Sequence, residues 1–194
     1  MNLKTYKNGK ILEFFIAMLF IVAGVVLRII PHAPNFSPIT AIALFGAVYL
    51  PKKLAFVLPI AALIISDTFI GFYDFKLMAV VYGSFLLCVV LGFWLKKNKK
   101  WYNVLASSFL AAFIFFSLTN FAVWAFASWY PKTISGLISC FVMALPFFKN
   151  TLLGDIFYAG VFFGSFELVK VWIGKKFIIP NIVADEMRRA YLKS

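Results

Sequence analysis

The side chains able to do chemistry in this chain are few, and they sit among hydrocarbon. Residues 28–42 read RIIPHAPNFSPITAI and place Arg28, His32 and Asn35 between two apolar stretches. Asp67 follows in SDTFIGFYD, Asn120 and Trp124 in TNFAVWAF, Trp129 in ASWYP, and Asp155 with Tyr158 in GDIFYAG. Arg28 and His32 are four residues apart and share a helical face if the helix persists past Pro31. Asn120 with Trp124 and Asp155 with Tyr158 share faces in the same way. These groups suit ion pairing and hydrogen bonding to a polar molecule, with tryptophans to stack on it or to sit at the membrane interface.

Other chemistries find no residues to carry them. The chain has one His, so no serine or cysteine can be paired with a second one, and it has neither a phosphate loop nor an HExxH zinc motif. Cys88 and Cys140 lie far apart without metal-ligand spacing, which predicts buried thiols and no metal or other cofactor. A carboxylate-based intramembrane enzyme using Asp67 and Asp155 stays as a minority alternative, because nothing in their spacing specifies one. A lone His near an interface is more often a structural hydrogen-bonding residue than a ligand.

A charge at membrane depth costs several kcal/mol if left alone. Arg28 therefore needs a carboxylate, and Asp67 or Asp155 is its natural partner. Two readings follow: ion pairs that fix helix register, or a site in which Arg28 or one aspartate is left for a ligand.

The elements that must position these groups are membrane spans. Of the 194 residues, 63% are hydrophobic and 13% charged, with 25 phenylalanines, and the mean hydropathy is +0.95. That is more apolar surface than a water-soluble domain of this size can hide. Six spans are expected, near 11–30, 38–50, 54–70, 75–95, 102–127 and 151–173. The result is an all-α integral membrane protein, a single transmembrane domain of six helices in the cell's inner membrane.

The net charge of +12 falls in short clusters between spans, a topology signal and not a nucleic-acid-binding face. With six spans, the clusters around Lys4, Lys52, Lys96 and Lys175 share one side, which predicts cytoplasmic N and C termini. Thr133 to Phe148 is a candidate seventh crossing, but counting it would export Lys175, Lys176, Arg188 and Arg189. It is expected instead within an outer helical lid or re-entrant cap over 128–150. The tail 178–194 reads as an amphipathic cytoplasmic segment.

On this topology every polar group named first maps to the outer half of the bilayer, while the inner halves are almost purely apolar apart from Glu13 and Glu167. A channel would carry polar groups through the full depth. The pattern describes a cup, open outside and closed below. The second span is short and bracketed by Pro38 and Pro51, and the third contains Pro59, features tolerated where backbone is buried or lines a cavity.

A six-span chain with such a cup resembles the substrate-binding S components of energy-coupling factor (ECF) vitamin transporters. The blocks RIIPHAPNFSPITAIALFGA, SDTFIGFYD and TNFAVWAFASWYPKTISGLISCFVMALPFFKNTLLGD are similar to those of an uncharacterised bacterial membrane family associated with that group, and span most of residues 28–155. The resemblance implies capture of a small vitamin-like molecule at the outer face, with a membrane coupling subunit and ATPases as partners beside lipid. S components often carry AxxxA on the first helix for docking. Here that pattern falls on Ala43 and Ala47 of the second span. The expected ligand-binding set is Arg28, His32, Asn35, Asp67, Asn120, Trp124, Trp129, Asp155 and Tyr158. A structural or assembly protein of the envelope, holding a partner's segment in the same cup, is the alternative from another class.

Overall fold

A computed structural model describes residues 3–30 and 33–173. The expected contributions of His32 and of the tail 178–194 lie outside the described residues. The described chain is all-α, with six helices: α1 (Leu3–Ile29), α2 (Ile39–Tyr49), α3 (Lys52–Ile70), α4 (Phe75–Lys97), α5 (Trp101–Phe126) and α6 (Ile134–Ile173). Five of them are long and apolar enough to cross a membrane, and α2 is the short exception. The protein is a multi-pass membrane protein.

The bundle is built around α2. At 11 residues it is about 16 Å long, half a hydrocarbon core. It has no need to span lipid, because every residue from Ile39 to Val48 is buried and α1, α3, α4, α5 and α6 all pack on it. Its small residues allow that crowding. A Cβ on Gly92 of α4 would lie 2.5 Å from the Ala47 Cβ and 3.1 Å from the Leu44 carbonyl oxygen. Gly92→Val should therefore push α4 off α2 and cost about 1–3 kcal/mol or more, read as a lower midpoint in detergent unfolding. Gly83→Ala, on the same helix with nothing within 4 Å of its added Cβ, should be nearly silent.

Below its first turn α2 enters a layer of aromatic rings. Phe45 is fully buried and packs edge-on against Phe162, Phe163 and Phe166 of α6, with Phe20 of α1 stacked on it at 5.7 Å. Tyr49 closes the layer against Phe166 at 4.4 Å. Beyond it lies a basic end: the Tyr49 hydroxyl donates to Glu167 at 2.5 Å, Lys99 and Lys170 pair with the same carboxylate, and Lys96 reaches the Leu50 carbonyl.

Segment 133–148 and the span 151–173 form one helix. α6 runs 40 residues, about 60 Å, through Pro146 without a break. Its first turns lie along the upper half of α5, where Phe116 meets Phe141 and Phe148 and the Cys140 thiol faces the Asn120 carbonyl. The segment expected as a separate cap is thus the N-terminal part of α6, paired with α5 as a helical hairpin. Charge counting separated the two pieces because it registers crossings and is blind to a helix about twice the bilayer thickness.

Candidate functional site

At the end opposite the basic one, the chain leaves α1, turns, and enters α2. Asn35 takes φ 63°, a left-handed conformation that Asn tolerates better than most residues. Phe36 N–H donates to Ala33 O at 2.9 Å, and Asn150 Nδ2 on α6 donates to Pro34 O at 3.1 Å. Gly154 allows this loop to lie directly on α6, since a Cβ there would sit 3.2 Å from the Phe36 Cα. Asn150 and Gly154 of α6 thereby hold residues 34–36 of the turn against that helix.

Beneath it is a cavity of about 250 Å³. Arg28 of α1, Asn35 and Ser37 of the turn, Thr40 of α2, and Thr151 and Asp155 of α6 supply its polar wall. Phe85 of α4 and Phe115 of α5, tilted together at 5.1 Å, supply an aromatic one, and Tyr73 of the α3–α4 loop completes the rim. The Tyr73 phenol stays protonated and able to donate, because partial burial pushes its pKa up to about 12, with Asp67 adding to the shift and Arg28 opposing it.

The two candidate aspartates have different roles. Asp67 is buried behind Arg28: the Arg28 Nη2 donates to its Oδ1 at 2.9 Å and the Tyr82 hydroxyl donates to its Oδ2 at 2.7 Å. Both oxygens are engaged, and the guanidinium, with five N–H donors, is held at the cavity wall with donors to spare. Tyr82→Phe should leave one oxygen of Asp67 without that donor and cost about 1.5–3 kcal/mol, the usual worth of a hydrogen bond to a charged group, measurable by thermal unfolding in detergent.

Asp155 is the unsatisfied one. It is 1% exposed, the Thr40 side chain offers it a hydrogen bond, and its Oδ2 has no partner. An orphaned buried acceptor costs about 1–3 kcal/mol. In a membrane domain, such a group facing a cavity is a functional-site signal by default.

Of the residues expected from sequence, the structure brings Arg28, Asn35 and Asp155 to one cavity, with Asp67 directly behind. Of the other described residues in that set, none lines the cavity. Asn120 donates to the carbonyl of Phe116 one turn back at 2.7 Å. Trp124 donates its Nε1–H to Pro131 O at 3.0 Å, and Lys132 donates to Ala127 O at 2.5 Å, so both fasten the α5–α6 turn. Trp129 is 75% exposed on that turn, and Tyr158 is buried against Phe36. Sequence reading passed over Tyr73, Tyr82, Thr151, Phe85 and Phe115 as site residues. Thr151 alone had an accessible signal, since it lies one helical turn before Asp155 on the same face.

No curated protein and no solved structure matches the chain. A family model does match, over residues 9–177, and that range contains all six spans' described cores and every wall of the cavity. The chain accordingly belongs to DUF6580, a family of unknown function.

Proposed function

We propose that this protein is a membrane-embedded binding subunit for uptake of a small vitamin-like or cofactor-precursor molecule. The observation that carries the reading is the cavity of Arg28, Asn35, Thr40, Thr151 and Asp155, in a bundle whose α2 runs on from Thr40 into the buried Phe45 layer. A site of this kind can capture a molecule, and passage then requires the surrounding helices to move. Lys52, Lys53, Lys96, Lys97, Lys99 and Lys100 lie at the Phe45 side, and by the positive-inside rule that end faces the cytoplasm. The cavity then opens outward. A coupling subunit with ATPases, as in the ECF group, would supply the energy. Ala43 and Ala47 are fully buried inside the bundle and cannot form that docking surface.

The binding reading is favoured over a two-carboxylate enzyme because Asp67 is engaged on both oxygens. The test has two parts. Asn35→Cys should be labelled by an impermeant maleimide added to intact cells, and labelling should fall when the cell's own ligand is supplied. Labelling only after permeabilisation would invert the orientation. Cells with the protein should accumulate the molecule found bound to it, and a deletion strain should not; equal accumulation would remove the transport role.

A further inference from the structure

The charges around the cavity do not balance. Arg28 is neutralised by Asp67, which lies behind it at 2.9 Å. Asp155 then remains as a second carboxylate, and among the described residues that line the cavity the only charged side chains are Arg28 and Asp155. With both carboxylates ionised the site holds one positive and two negative groups, so the empty site calls for a proton on Asp155, and a cationic ligand takes that proton's place. The excess sits on a side chain that is 1% exposed and whose Oδ2 has no partner.

We infer that the ligand is a compact organic cation, an ammonium or amidinium-type group with N–H donors, which docks on Asp155 and presents a hydrogen-bond acceptor toward Arg28. A cation restores neutrality in a place where a lone buried charge is costly. Its N–H meets the orphaned oxygen as a charge-assisted bond. Phe85, Phe115 and Tyr73 line the same volume, and aromatic rings favour a cation over an anion at their faces. The spare donors of Arg28 would repel a bare cation less than a free guanidinium does, because Asp67 screens them, and they are matched by a carbonyl or ring nitrogen at the ligand's other end.

This inference rests on the binding reading above, and it can fail by itself. Three flat probes of nearly one shape separate the charge types: benzamidinium, benzamide and benzoate. With the purified full-length protein in detergent, benzamidinium should bind at least tenfold tighter than benzamide, and benzoate weakest. In Asp155→Asn the preference for benzamidinium over benzamide should fall to within about threefold. Should that variant fail to fold, the order in the unaltered protein still decides. A preference for benzoate, or a benzamidinium preference untouched by Asp155→Asn, would overturn the inference. So would binding of none of the three by protein that has been stripped of its co-purified molecule and can rebind it, and in each of these cases the binding site itself survives. If the protein binds no probe and carries no molecule, the binding function falls with it.

Discussion

Arg28→Met is expected to destabilise the protein by about 3–5 kcal/mol, the largest single-residue effect on stability in the bundle. Asp67 is 2% exposed, and Arg28 is its counter-charge at 2.9 Å. Removing one partner of a buried pair leaves the other as an uncompensated charge, and the penalty is greater than the net worth of the pair. The Tyr82 hydroxyl would remain on Asp67 Oδ2 but carries no charge. The diagnostic is the second substitution: Arg28→Met with Asp67→Leu should recover most of the loss, since replacing a buried pair by apolar side chains is often neutral or better. Unfolding by denaturing detergent, for both single variants and the double, measures it. If Arg28→Met were as stable as the parent, the ion pair between Arg28 of α1 and Asp67 of α3 would not hold those helices together.

Asp155→Asn should behave in the opposite way. The carboxylate has an oxygen without a partner, so replacing it by a neutral amide should leave stability unchanged or raise it by about 1 kcal/mol. The same change should weaken ligand binding by about 30- to 150-fold, the 2–3 kcal/mol of a lost charge-assisted bond. Stability held or gained while binding is lost identifies a group kept for function; a structural carboxylate would lose stability. Thr40→Val is a useful companion, because the Thr40 side chain offers Asp155 a hydrogen bond while lining the same cavity.

Much of this architecture was legible in the sequence. Hydropathy located α2 to α5 to within a few residues and the C-terminal ends of α1 and α6, but α1 begins at Leu3 and α6 at Ile134, well before the expected spans. The polar groups at one end of α1, α2 and α3 announced a one-sided site, since only function or pairing keeps charges at that depth. Which groups face inward was less legible. Helical spacing gave Asn120 and Trp124 a common face, yet their donors are consumed by the Phe116 carbonyl and by Pro131 across the α5–α6 turn. Those are local hydrogen bonds with no sequence periodicity. Tyr82 reaches Asp67 from 15 residues away, between α4 and α3, and the choice between Asp67 and Asp155 for Arg28 was set by helix packing. The brevity of α2 read as a mark of a site. It also marks the helix that lies at the centre, where a length matched to lipid is not required.

The cavity beneath the RIIPHAPNFSPITAI turn is proposed to hold a small molecule. Mass spectrometry of the compounds released from gently purified protein tests it most directly, comparing the parent with Asp155→Asn and with Ser37→Phe, which puts a ring into the cavity. One compound should be enriched in near-stoichiometric amount with the parent, be reduced in Asp155→Asn, and be absent from Ser37→Phe, while all three proteins remain folded. No enriched compound in the parent, or the same compound in equal amount from all three, would contradict it.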